Sequence, residues 1–156
     1  MLEKLFCLLT TFTLLFCSQA FAAEPLLKVG AQTLSVKING SAVEVDVYQP
    51  MGPQTGAAIL THGGFRGRKT MAEHAQALAA RGVLALAPDM PCTFDHRCNA
   101  GAITELVQML RDTETFGARA ERVMLVGFSA GGLSSLLAAD TPGVVGFVGL
   151  DAYDHL

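Results

Sequence analysis

The chain has 156 residues, with 11 Lys plus Arg against 14 Asp plus Glu and a formal charge of −3. Hydrophobic residues make up 51% and charged ones 16%, which excludes a disordered chain, and the length suits one domain. The mild acidic excess without a basic run excludes nucleic acid as a partner, and no internal repeat of solenoid or propeller length is present.

The chain opens with Lys4 and an apolar run from Leu5 to Phe16, then closes on Ala20-Phe21-Ala22, a small-x-small pattern. This reads as a secretory signal over residues 1–22, cleaved after Ala22, which leaves 23–156 as the mature domain. Thr10, Thr11, Thr13, Ser18 and Gln19 interrupt the stretch and make it a poor membrane span, so no stable span is expected after cleavage. The protein is therefore expected to be exported, to a periplasm or outside the cell.

Thr33–Ile38 and Val43–Tyr48 alternate apolar and polar residues around Asn39-Gly40 and predict an antiparallel hairpin with one solvated face. Gln49-Pro50-Met51-Gly52-Pro53 ends the second strand. Beyond it, Ala57–Leu60, Val83–Ala87, Val123–Val126 and Val144–Val148 are continuous apolar runs, as in strands of a parallel sheet buried on both faces. Helices are predicted between them. Thr70-Met71-Ala72-Glu73 has the pattern of a capping box, Met71, Ala75, Leu78 and Ala79 form one face, and Gly82 stops the helix. Ile103, Leu106, Val107 and Leu110 mark a second helix, and Leu133, Leu136 and Leu137 a third.

Cys92 and Cys98 remain after Cys7 and Cys17 leave with the signal, and an even pair in an oxidising compartment predicts a disulfide. A zinc site of Cys92, Cys98, His96 and Asp95 is the alternative, but paired-cysteine metal sites use tighter, doubled spacing.

The predicted order is βββαβαβαβ, an α/β sheet with an antiparallel start. Such sheets carry their sites at the carboxyl ends of the parallel strands. Four ends matter here: Thr61-His62-Gly63-Gly64-Phe65, Pro88-Asp89, Gly127-Phe128-Ser129-Ala130-Gly131-Gly132, and Asp151. The third is a G-x-S-x-G sequence between a buried strand and a helix, where the glycines let the chain reverse and leave the serine exposed. A serine attacking an ester carbonyl creates an oxyanion, which needs backbone donors with nothing bulky in front. Ala130 and Gly64 are placed to supply those two amides. Phe65 and Phe128 flank the donors; Phe65 suits an apolar subsite, and Phe128 reads as packing under the turn.

Through His62-Gly63-Gly64-Phe65, Ala87-Pro88-Asp89 and Gly127-Phe128-Ser129-Ala130-Gly131-Gly132 the chain resembles the α/β-hydrolase superfamily over about residues 30–156. Within it the chain looks most like the exported esterase branch of dienelactone-hydrolase-like proteins, chlorophyllases and platelet-activating-factor acetylhydrolases. The His-Gly-x loop, the Gly-x-Ser-x-Gly-Gly turn and the following Gly149-Leu150-Asp151 carry that likeness. Ser129 departs from true dienelactone hydrolases, which use cysteine. The resemblance implies a three-layer αβα fold and a carboxylic ester hydrolase in which Ser129 is the nucleophile. Superfamily order is nucleophile, acid, histidine, so Asp89 precedes the serine and fails, whereas Asp151 fits as the acid and Asp154 stands behind it.

No histidine fits as well. His62 belongs to the oxyanion loop and is expected to brace it, while His74 and His96 read as surface residues. His155 follows Asp151 too closely for the family's histidine, which comes after two further strands. The chain thus reads as truncated relative to that family, with its last strands, helices and general base missing, and Val144–Leu150 left as an exposed apolar edge open to self-association. A non-catalytic fragment or binding module is the alternative to a serine esterase. A small-molecule ester is the expected partner. No phosphate loop, nucleotide fingerprint or metal cluster appears in the sequence, so no cofactor is implied.

Overall fold

The computed structural model describes residues 25–152. The expected signal segment 1–22, and with it the domain boundary at residue 23, lies outside them, as do Asp154 and His155. The elements follow the predicted order: β1 (Val29–Ile38), β2 (Ser41–Pro50), β3 (Gly56–Thr61), a 3-10 turn (Arg68–Met71), α1 (Ala72–Ala79), β4 (Val83–Pro88), α2 (His96–Asp112), β5 (Val123–Phe128), α3 (Ala130–Leu137) and β6 (Val144–Leu150).

The six strands form one sheet in the order β1-β2-β4-β3-β5-β6. The hairpin β1–β2 is antiparallel, with Val36 opposite Val43 and Ile38 opposite Ser41, and β2 runs antiparallel to β4. Asn39 and Gly40 close it with φ of 49° and 80°, the doubly positive turn that matches the strands' own twist. β4, β3, β5 and β6 are mutually parallel.

Helices cover both faces. On one side α2 and α3 pack on Val45, Val47, Ile59, Leu84, Leu86, Val123 and Leu125. Ile103, Leu106, Val107 and Leu110 of α2 are wholly buried there, each worth about 1.5–3 kcal/mol of apolar burial. On the other side α1 lays Ala75 and Ala79 against Ala58, Ala85 and Ala87, small residues that let helix and sheet approach closely. This is a three-layer αβα arrangement. Among the described residues no helix is long and apolar enough to cross a membrane.

Three local expectations fail for identifiable reasons. A solvated face holds along β1, but β2 lies inside the sheet, and the 3-10 turn and α1 cover its second face. Asp46 and Tyr48 are therefore buried as well as Val45 and Val47. The capping box at Thr70 does not form: Thr70 sits within the 3-10 turn, its hydroxyl donates to the Gly67 carbonyl oxygen, and α1 starts without a side-chain cap. On α3, Leu133 is buried and Leu137 packs on the core, but Leu136 is 53% exposed. The face of α3 that packs inward is instead Gly131, Gly132, Ser134 and Ser135, because the helix starts pressed against the ends of β3 and β5. β6 stands at the sheet edge as expected, with Val145 and Val148 exposed.

Candidate active site

The residues immediately following the four parallel strands are His62, Asp89, Ser129 and Asp151. Parallel topology brings all four to one edge of the sheet.

Ser129 joins β5 to α3 at φ 51° and ψ −120°, a region that costs a non-glycine residue about 1–3 kcal/mol. The surroundings enforce it. A methyl group on Gly131 would lie 2.4 Å from the His62 carbonyl oxygen and 2.6 Å from that of Thr61. One on Gly127 would lie 2.5 Å from the Gly132 Cα, and one on Gly132 would lie 2.5 Å from the Ala152 Cβ. Hydrogen bonds complete the turn: Ser129 N–H donates to the Leu150 carbonyl at 3.0 Å, and Gly132 N–H to that of Ser129 at 2.8 Å. Beneath, the buried Thr61 hydroxyl reaches the Gly131 carbonyl at 2.9 Å and the Ser135 hydroxyl at 2.8 Å.

The loop after β3 lies against this elbow. A Cβ on Gly63 would approach the Ser129 Cβ to 3.3 Å and the Phe128 ring to 2.9 Å, so only glycine fits between them. The Cβ position of Gly64 is 3.9 Å from Ala130 Cβ, which sets the two residues carrying the expected oxyanion donors face to face. Phe128 packs under the turn, with Arg66 5.3 Å over its ring.

His62 holds the loop from within. Its Nδ1 lies 2.8 Å from the Gly63 carbonyl, and its Nε2 lies 3.1 Å from the Met90 amide. A carbonyl only accepts and an amide N–H only donates, so Nδ1 carries the proton and both ring nitrogens are committed to backbone.

A charged clamp that sequence reasoning missed fastens the far end of the loop. Arg68 donates from Nε to Asp46 Oδ1 at 3.0 Å, from Nη1 to Asp89, and from its backbone amide to Asp89 Oδ1 at 2.9 Å. Lys69 Nζ lies 2.7 Å from Asp46 Oδ2, and the Thr33 hydroxyl donates to Oδ1 at 2.7 Å. Burial pushes the Asp46 carboxyl up, but contacts from Lys69, Thr33 and Arg68 outweigh it and hold its pKa below the ordinary value. Burial, then the charge of Asp46, raises the neighbouring Tyr48 hydroxyl. Asp89, set aside as the acid, is one jaw of this clamp. The available signal was Asp46 itself, an acid in an interior strand with Arg68-Lys69 following the glycine loop.

Asp151 follows β6 at φ 48°, exposed, one residue beyond the Leu150 carbonyl that receives the Ser129 amide. Of the described histidines, His74 is exposed on α1, as read from sequence. His96 is not a plain surface residue. It opens α2 and lines a cavity of about 230 Å³ beside Gly64 and Ala130, with Nδ1 3.3 Å from the Ser134 hydroxyl.

Cys92 and Cys98 are bridged. The bridge does not merely close a loop, since Cys98 belongs to the first turn of α2 and ties the loop to the helix. Asn99 reinforces it, accepting from the Cys92 amide at 3.0 Å and donating to its carbonyl at 2.7 Å. Asp95 caps the helix by accepting from the Cys98 amide at 2.9 Å. The thiolates that zinc would need are thus consumed by the bridge, and among the described residues no group of three His, Cys, Asp or Glu side chains could hold a metal.

No protein-family model matches the chain, and no curated protein matches its sequence. Solved structures do match in fold. A dienelactone hydrolase from Anabaena variabilis superposes with a TM-score of 0.69 at 19% identity, over 80% of this chain and 64% of its own. A dienelactone hydrolase-like promiscuous phosphotriesterase from metagenomic libraries gives 0.65 at 18% identity, over 80% of this chain and 59% of its own. The chain thus spans less than two thirds of either neighbour's length. Both neighbours are α/β-hydrolase fold members, and with its mixed six-stranded sheet between helical layers the chain has the α/β-hydrolase fold.

Proposed function

We propose that this chain carries the nucleophile and oxyanion hole of a serine hydrolase acting on carboxylic esters. The observation that carries this reading is Ser129 held at φ 51° directly against the Gly63-Gly64 backbone. In the proposed reaction Ser129 Oγ attacks the ester carbonyl carbon and its proton passes to a base. The amides of Gly64 and Ala130 hold the developing oxyanion, and the amino terminus of α3 adds its dipole. The alcohol leaves with the proton, and water then releases the acid from the acyl-serine. Asp151, beside the elbow, orients the histidine. The bridged Cys92–Cys98 pair supports an exported location, as in the esterase branch the sequence resembles.

One observation favours the second reading, a binding module without turnover. Both ring nitrogens of His62 are committed to backbone, His74 lies exposed on α1, and His96 meets Ser134 one turn beyond Ser129. Neither His62 nor His74 is set to take the serine's proton, and the Nδ1 of His96 is turned to Ser134.

A fluorophosphonate probe and p-nitrophenyl acetate separate the readings. Labelling and hydrolysis that vanish in Ser129→Ala support the hydrolase. Without a competent base, oxyanion donors alone leave a residual acceleration on the order of 10³–10⁴ over water. His155→Ala tests the remaining histidine: full activity in the parent chain and none in this variant would make His155 the base. A chain inert to esters, thioesters and a phosphotriester alike belongs to the second reading.

A further inference from the structure

The cavity beside the oxyanion donors has walls that the reaction itself does not require. Its mouth is framed by Phe65, on the oxyanion loop, and Phe94, on the bridged loop, whose rings meet edge to face at 4.8 Å. Both residues take positive φ, 56° and 61°. Both rings are largely exposed, at 91% and 60%, a costly placement for aromatic rings that only filled space. The Phe94 ring also comes within 3.9 Å of the Cβ position of Gly64. Phe94 lies between Cys92 and Cys98, so the bridge, the Asn99 amide pair and the Asp95 cap together fix where its ring stands.

We propose that this cavity is the subsite for a compact acyl group, and that Phe94, positioned by the bridged loop, sets the length it accepts. The inference rests on the hydrolase reading of Ser129 for the word acyl, but the subsite and its size limit stand on the cavity. A volume of about 230 Å³ is smaller than the few hundred Å³ typical of pockets for drug-sized ligands. Most polar groups in its wall are already engaged: Asn99 with the Cys92 backbone, His62 with Gly63 and Met90, and Ser134 with the Ala130 carbonyl and His96. Phe65, Phe94 and Met90 supply the apolar part of the wall, and Arg66, 5.3 Å over the Phe128 ring, and Thr93 stand in it as well. A recess walled by the oxyanion loop and the bridged loop suits the group retained in the acyl-enzyme, because the alcohol must escape.

The test uses the full chain and its Ser129→Ala variant, with butyramide and octanamide as inert probes followed by backbone amide NMR. Butyramide is expected to shift the Gly64, Phe94 and Asn99 resonances equally in both proteins. Octanamide is expected to bind at least about tenfold more weakly, and Phe94→Ala to erase that ratio. Cys92→Ser with Cys98→Ser should relax the ratio in the same direction. Equal binding of the two amides, or a ratio unchanged in Phe94→Ala, overturns the proposal; Phe94→Leu, closer in volume, serves if the alanine variant fails to fold. In parallel, p-nitrophenyl acetate and octanoate report on acyl length, and acetate esters of short and long alcohols on the leaving group. A Phe94→Ala effect confined to the alcohol series also overturns the acyl assignment. Expected probe binding with no ester turnover sinks the hydrolase reading and leaves the subsite standing.

Discussion

The elbow at Ser129 and the loop from Pro91 to Asn99 border one cavity, yet different physics holds each in place. At the elbow, backbone packs on backbone: Gly127, Gly131 and Gly132 leave no room for a Cβ, and the serine is forced into its strained conformation. In the loop, side chains do the fastening, through a disulfide, the paired hydrogen bonds of Asn99 and the cap of Asp95. Contact that is purely steric writes itself into a sequence as glycine at fixed offsets. Contact made by side-chain pairing leaves only residues that have many other uses.

The largest effect should come from breaking the steric side. Gly131→Ala places a methyl 2.4 Å from a carbonyl oxygen of rigid backbone, where no side chain can yield. A loss of about 3 kcal/mol is expected in urea unfolding, together with loss of fluorophosphonate labelling. A variant as stable as the parent would show that the elbow is looser than its contacts imply.

The clamp behind the oxyanion loop belongs to the side-chain class and differs from the elbow in responding to pH. Asp46 has a folded pKa held below its ordinary 3.8, so its stabilisation is fully present above that value. It is lost as pH falls through the lower, folded value. Asp46→Asn should cost about 2 kcal/mol near neutrality, less than a fully buried pair because Arg68 keeps Asp89. It should also flatten the acid limb of stability below the ordinary carboxylate value of 3.8. An acid limb that stays as steep in the variant would place the titration elsewhere.

What could be read in advance follows the same division. The parallel strands were legible because burial on both faces makes them continuous apolar runs, and the elbow because Gly127, Ser129 and Gly131 keep their offsets. The hairpin turn was legible because Asn39-Gly40 tolerates two positive φ angles. Asp46 was not, since alternation in β2 looks the same whether its second face meets water or the Arg68 turn. His96 was misplaced because its partner Ser134 lies 38 residues on, beyond the reach of local pattern, although the Asp95 cap directly before it was a local sign of the helix start. Thr70 matched a capping box, but its hydroxyl serves Gly67 instead. The partners of Asp46 and His96 lie many residues away, where local pattern gives no guide.

The bridge measures how much the loop relies on side chains. Mass measurement before and after alkylation should find no free thiol in protein recovered from an oxidising compartment; two free thiols there would remove the premise. Cys92→Ser with Cys98→Ser should cost about 2 kcal/mol, the loop-closure term for so short a ring. The Asn99 and Asp95 ties remain, so the loop should stay folded while amide exchange at Thr93 and Phe94 quickens. Exchange unchanged by removal of the bridge would mean that the hydrogen bonds alone set the loop.

The smallest effect gives the cleanest contrast, because it repeats the Gly131 substitution where no steric demand exists. Gly101 lies in the second turn of α2, exposed, just past the bridged loop. A methyl placed there meets nothing nearer than the Asn39 side-chain nitrogen at 3.8 Å, an ordinary contact. Helical backbone suits alanine better than glycine, and alanine narrows the unfolded ensemble. Gly101→Ala should therefore stabilise the chain by about 0.5–1 kcal/mol. The Asn39 backbone N–H, which donates to the Glu105 carboxylate at 2.8 Å, should keep its place between hairpin and helix. Thermal unfolding read beside the Gly131 variant then gives two identical chemical changes of opposite sign. If Gly101→Ala destabilises instead, α2 is held by a close approach at this point, and steric packing extends beyond the elbow into the region assigned here to side chains.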